Sequence, residues 1–368
     1  MQPNPFNAKY NRRKLLHLAG LAAGASILPS ACRALNSNSP AGDASPQSVA
    51  SPSPPSATPS ASPASASTGM SRVVLIQTDD RVAGAHQAID LLQPDGIQGQ
   101  SVFLKPNYNT GDAAPAATDT QLLEALIQDL QGAGAGSMTI GDRSGMAETR
   151  QAMQQKGVFE LADRYGLNAL VFDEMDADQW QYVDAEGTHW QQGFAFARPV
   201  LEAGAVVNTC CLKTHRYGGH FTLSLKNTVG MVAKYVPGDS FNYMRDLHSS
   251  PHQRLMIAEI NAAYQPALVL LDGVEAFVKG GPASGDKVPA NVMLAGTDRV
   301  AVDVVALGIL RSLGTTSDVA QGSVWDLEQI QRAIALGLGA SSDEQIEIVT
   351  PDVASQRRAD EIRQHIVA

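Results

Sequence analysis

The densest set of chemically capable side chains lies in the segment 208–232, NTCCLKTHRYGGHFTLSLKNTVGMV. An apolar run over 205–212 stops abruptly at Lys213-Thr214-His215, a Gly-Gly turn follows, and a helix-like stretch then carries Ser224, Lys226 and Asn227. Lys213 and His215 stand two apart, so in extended chain they share a face. Lys226 can join them from the next helix. Donors gathered at one point suit a carboxylate, a phosphate or a developing enolate. A desolvated lysine beside a second cation can also lose basicity and serve as base or nucleophile. The competing reading of Lys213 and His215 is a hydrogen-bonded structural turn.

Polar residues recur wherever an apolar run ends: Lys105 and Asn107 in LKPN, Asp142 and Ser144 in GDRS, Asp272 before Gly273. In a parallel sheet such ends converge on one edge, where α/β proteins bind ligands. The expected catalytic set is Lys213, His215, Lys226 and Asp142. Lys105, Asn107, Thr214, Asn227 and Asp272 are the expected substrate contacts. Lys105 also reads as a solvated strand-end lysine, and Asn107 as a loop cap. Four histidines, His215, His220, His248 and His252, invite a divalent metal, with His215, His248 and Asp272 as ligands and Asp142 or Asp246 as further oxygen donors. Their spacings match no strict signature, and Pro251 argues against His248 and His252 sharing one continuous helix.

The elements that must position these residues follow from periodicity. Strands are predicted over 73–78, 101–104, 137–140, 169–172, 205–212, 267–271, 292–294 and 346–349. Helices are predicted over 83–92, 120–131, 251–264, 299–313 and 325–336. Alternation of the two predicts an α/β fold, a mainly parallel sheet with helices on both faces in Rossmann-like layers. Residues 180–196 alternate as a small inserted β-hairpin, with Glu186-Gly187 at its turn. Thr118-Asp119 caps one helix and Thr297-Asp298 another. Asp303, inside the latter helix, is either a buried anchor or a site residue. Gly280-Gly281-Pro282 with Gly285 marks either a mobile loop over the pocket or plain turn chemistry.

The chain has 368 residues with a formal net charge of -10, and its only concentrated basic run is Arg12-Arg13-Lys14. That balance argues against nucleic acid as a partner. Of the three cysteines, Cys210 and Cys211 fall in an apolar strand and read as small hydrophobes. No C-x-x-C pair or ferredoxin-like run is present, which argues against an iron–sulfur cluster. Residues 11–16, NRRKLL, resemble a twin-arginine export signal, and the apolar stretch behind them is shorter than the roughly 20 residues a bilayer span takes. Cys32 follows Leu28-Pro29-Ser30-Ala31, which resembles a lipoprotein box, although Pro29 departs from it. Residues 33–70 are rich in Ser, Pro and Ala and read as a disordered tether. The expected organisation is an export signal over 1–32, the tether over 33–70 and an α/β domain over 71–368. The expected location is outside the cytoplasmic membrane, reached through the twin-arginine machinery, with lipid at Cys32 as an anchor.

Taken together, Leu104-Lys105-Pro106-Asn107, Gly141-Asp142, Leu212-Lys213-Thr214-His215, Leu225-Lys226-Asn227, Leu247-His248, Leu271-Asp272-Gly273 and Asp298 with Asp303 resemble the DUF362 family. The family is a domain of unknown function, in some members fused to iron–sulfur modules whose cysteines this chain lacks. The resemblance therefore implies a set of family-typical polar positions and no reaction. Two functions stay open: an exported enzyme acting on a small anionic substrate, and a non-catalytic lipoprotein that binds a ligand or cofactor.

Overall fold

A computed structural model describes residues 69–367, so the expected export signal, the Cys32 box and nearly all of the tether lie outside the described residues. Eleven strands form: β1 Ser71–Gln77, β2 Val102–Lys105, β3 Met138–Asp142, β4 Asn168–Val171, β5 Trp180–Val183, β6 Phe194–Ala197, β7 Ala205–His215, β8 His220–Thr222, β9 Leu268–Gly280, β10 Gly285–Gly296 and β11 Ile346–Val349. The main sheet runs β11-β1-β10-β9-β7-β2-β3-β4, with β8 added to the end of β7. Along that path only β10 runs against its neighbours. The fold is therefore α/β with a mainly parallel sheet, as its alternating pattern requires.

Side-chain alternation divides the core. Val73 and Leu75 of β1, with Cys210 and Leu212 of β7, pack on one face beneath the helix Arg299–Ser312. Val74 and Ile76, with Leu104 and Val207, pack on the other against the helices Arg81–Leu92 and Thr120–Gly132. Each such aliphatic side chain contributes about 1.5–3 kcal/mol by leaving water. Cys210 and Cys211 are buried and form no disulfide among the described residues, and burial pushes both thiols up. The hairpin β5–β6 forms a separate two-stranded sheet and closes a third cluster around Phe103, Phe172 and Trp190.

The caps read from sequence are in place. Asp119 accepts from the N–H groups of Gln121 and Leu122, and Asp298 from those of Val300 and Ala301. Asp303 is a buried anchor: its carboxylate receives the Ser224 and Leu225 N–H groups that open the short helix Ser224–Asn227. β9 and β10 extend furthest beyond their predicted lengths. They form one long hairpin, and Gly280-Gly281-Pro282 is part of its turn. Gly280 and Gly281 there have φ of 88° and 62°, which glycine adopts without strain. The turn is tied to β7, because Arg216 donates through Nε to the Gly281 carbonyl (2.9 Å) and through Nη2 to the Ser284 carbonyl (2.7 Å).

Candidate functional site

At the carboxyl ends of β2, β3 and β7 lies a cleft of about 320 Å³. Lys105, Asn107, Asp142, Lys213, His215, Lys226, Asn227 and His248 all line it, so the sequence-predicted constellation is largely assembled in space. Thr214 and Asp272 are not among its lining residues.

β2 ends at Lys105 because Pro106 has no N–H to continue a ladder. The Lys105 ammonium, buried, reaches Asp142 Oδ1 at 2.7 Å and donates to the Pro106 carbonyl at 2.6 Å. It is therefore not a solvated strand-end lysine. Asp142 Oδ1 also accepts from the Arg143 N–H, and its Oδ2 from the Tyr108 N–H, both at 2.7 Å. Burial pushes the Asp142 carboxyl up and the Lys105 amine down, and each partner's charge opposes the other's shift. Those two backbone donors favour the ionised carboxylate. Gly230 makes the approach possible: a Cβ there would sit 2.8 Å from Lys105 Nζ.

Lys213, fully buried, donates to Asn107 Oδ1 (2.7 Å) and the Ala116 carbonyl (2.6 Å) and has no ion-pair partner among the described residues. Burial lowers its basicity. Asn107 passes the network on, since its amide donates to Asn227 Oδ1 at 2.8 Å, and Asn227 in turn donates to Asn208 Oδ1 at 2.7 Å. Both asparagines are thereby held by side chains of the fold, and Asn107 bridges Lys213 to the short helix. Thr118, next to the helix cap Asp119, accepts from the Asn107 N–H and fixes that loop.

Lys226 differs from its neighbours. It is 8% exposed and has no hydrogen-bond or ion-pair partner among the described residues. Burial first, then the charges of Lys213 and Arg143, lower its pKa to about 7. His215 beside it is held neutral, pushed far below the ordinary imidazole value by burial and then by Lys226, His248 and Lys213. Its buried Nδ1 has no hydrogen-bond partner among the described residues. His248 sits on the helix Tyr243–Ser249 with Nδ1 2.7 Å from the Met244 carbonyl. A carbonyl only accepts, so Nδ1 carries the proton and Nε2 keeps its lone pair. Burial and then Lys226 depress its pKa as well.

Three sequence expectations need correction. Thr214 faces away from Lys213 and His215, as strand alternation demands, and its hydroxyl donates to the Phe277 carbonyl (3.1 Å). Asp272 lies within β9, not at its end, and its carboxylate is occupied by Arg81 Nε (2.9 Å) and the Val274 N–H (3.1 Å). The set His215, His248 and Asp272 is therefore not gathered as metal ligands, and among the described residues no three His, Cys, Asp or Glu side chains are grouped to hold a metal ion. Asp246 accepts from the Gln191 N–H, and His252 lies against His189, the rings tilted by 44° with centroids 4.7 Å apart.

The charged lining residue that the sequence reading did not assign to the site is Arg143. Its guanidinium lines the cleft and donates to the carbonyls of Val232 and Val229, each at 2.7 Å. Its position between Asp142 and Ser144, immediately after a strand, is the signal that could have found it. Gly219 was read only as part of a turn, and neither it nor Gly230 was given a part in the site, because what they contribute is room.

A mainly parallel α/β sheet whose strand ends present buried cations to a cleft defines the class. Residues 102–308 match the family described as Domain of unknown function (DUF362), and the chain belongs to that family. It is similar to the Thylakoid-associated protein sll1697 of Synechocystis sp., at 26% identity over 221 residues, 58% of this chain and 64% of that protein, so it spans less than two thirds of that relative. Among solved structures, the lactate racemase apoprotein from Thermoanaerobacterium thermosaccharolyticum aligns with a TM-score of 0.41 and 14% identity, over 64% of this chain and 56% of that one.

Proposed function

We propose that the cleft binds a small anion and that the protein is an enzyme acting on it. One observation carries this reading: four buried or nearly buried cations, Lys105, Arg143, Lys213 and Lys226, line the cleft with one carboxylate, Asp142. Buried charge without a counter-charge is costly, and an anionic ligand supplies one. Asp142 is committed to Lys105, which leaves the field of Lys213 and Arg143 and the bare amine of Lys226 for the ligand. His215 and His248, both neutral, are suited to moving a proton at the bound molecule.

The rival function, a lipoprotein that holds a ligand without turning it over, uses the same cleft. The orphaned His215 Nδ1 and the low basicity of Lys226 favour the enzyme, because perturbed titratable groups gathered in a cleft are what proton-transfer chemistry needs. We further propose export by the twin-arginine route and anchoring by lipid at Cys32, supported by the NRRKLL leader, the Cys32 box and the Ser/Pro/Ala-rich stretch behind it.

The test is a screen of small carboxylates and phosphates against the full chain, following both binding and product. Turnover lost in Lys226→Met supports the enzyme. Saturable binding with no product supports the holder. Absence of binding by every anion in the screen would sink both.

A further inference from the structure

We infer that Lys226 forms an imine with a carbonyl compound that also bears an anionic group, such as a 2-oxo acid or an aldehyde acid. The inference rests on the reading of the cleft as an anion site and names its substrate class.

The assignment comes from elimination among the four cations. Lys105 is bound to Asp142 and the Pro106 carbonyl, and Lys213 to Asn107 and the Ala116 carbonyl. Arg143 spends its guanidinium on the Val229, Val232 and Ser144 carbonyls and on Met244 Sδ. Only Lys226 reaches the cleft without a partner among the described residues. Its stem is fixed in direction: a Cβ built on Gly219 would stand 2.7 Å from Lys226 Cε and 2.9 Å from His215 Nδ1, so the amine stem and the imidazole flank the same glycine. An amine that is substantially neutral near pH 7 has a lone pair to attack with. Lys213 and Arg143, the charges that depress it, are fixed by their own hydrogen bonds and attract the anionic end of the same molecule.

The chemistry balances with the groups present. The Lys226 nitrogen attacks the carbonyl carbon, a C–N bond forms, and the carbonyl electron pair moves to oxygen, which takes a proton. The carbinolamine then loses its hydroxyl as water while the C=N bond forms. Both protons that leave the amine end in that water. The His248 Nε2 lone pair, which lines the same cleft, can carry them from nitrogen to oxygen.

The experiment is reductive trapping on the full chain at neutral pH with glyoxylate and cyanoborohydride, which delivers hydride to the imine and leaves a carboxymethylated lysine. Sites are read by peptide mass spectrometry, and phosphate and glyoxylate binding are measured by calorimetry without reductant. We expect Lys226 to be labelled at least about tenfold faster than the exposed Lys279 and Lys287. Phosphate should slow the labelling, and folded Lys226→Arg should show no fast site. Labelling of Lys226 no faster than of Lys279 and Lys287, while phosphate still binds, overturns the imine and leaves the anion site standing. Fast labelling of Lys226 that phosphate neither slows nor competes with keeps the imine and removes the anionic group from the substrate.

Discussion

Asp303 Oδ1 accepts from both the backbone N–H (2.8 Å) and the hydroxyl (2.6 Å) of Ser224, which ties the middle of the buried helix Arg299–Ser312 to the first residue of the helix that carries Lys226 and Asn227. Burial raises the Asp303 carboxyl to about 7, against roughly 4 in an unfolded chain. A folded-state value above the unfolded one means the contribution is fully present below about pH 4 and is lost as pH rises through about 7. Relative to Asp303→Asn, which cannot titrate, the native chain should lose a few kcal/mol between those limits. Urea melts of both proteins at pH 5 and pH 8 check this; an identical pH dependence in the two would contradict it.

Asp142→Asn should destabilise the fold by about 3–5 kcal/mol, because it leaves the buried Lys105 ammonium without a counter-charge. Replacing both, as Lys105→Met with Asp142→Leu, should recover a good part of that loss. Thermal melts of the single and double variants decide; a double variant no more stable than Asp142→Asn would mean the pair does more than neutralise itself.

Lys226→Met should raise stability while removing anion binding. The folded pKa of about 7 lies below the usual lysine value, so the unfolded chain binds the extra proton and the native fold gains stability as pH rises from about 7 to about 10. The advantage of the methionine variant is therefore expected at pH 6 and should shrink towards pH 10. Melts across that range would refute the assignment if the variant were less stable at pH 6.

Gly219→Ala is a test of room. The new Cβ meets the far end of the flexible Lys226 side chain and the His215 ring, so the fold should tolerate it. Anion affinity should fall at least about tenfold, roughly 1.4 kcal/mol, as the amine is displaced. Calorimetry beside a melt separates these, and unchanged affinity would show that the position of the Lys226 stem is not what the ligand requires.

Much of this was legible in the sequence because alternation and turn residues report directly on buried strands and their ends. The runs around Val73, Leu104, Ile140 and Val207 all became sheet strands, and the polar residues after three of them met in space. Asp272-Gly273 misled because a carboxylate and a glycine directly after an apolar run read as a strand end. The carboxylate is instead neutralised by Arg81, 191 positions away in the chain, so β9 continues through a register shift to Gly280. The C-terminal helix Val353–Ile366 was not read, since its mean pattern is polar and only Ala359, Ile362 and Ile366, with Ser355, are buried. Ile362 and Ile366 seat against Gly308, where a Cβ would stand 2.8 Å from Ile362 Cγ2. Distinguishing Lys226 from Lys105 and Lys213 was beyond the sequence, because it depends on which of three buried amines has no partner among the described residues.

The most direct measurement is a calorimetric titration of sulfate into the full chain at pH 6 and pH 8, since sulfate keeps its charge across that range. Lys226 gains its proton below about 7, so the account predicts saturable binding with one site per chain, weaker at pH 8 and abolished in Lys226→Met. Saturable binding equally strong at both pH values and unaffected by Lys226→Met, or the lack of any binding, would contradict it.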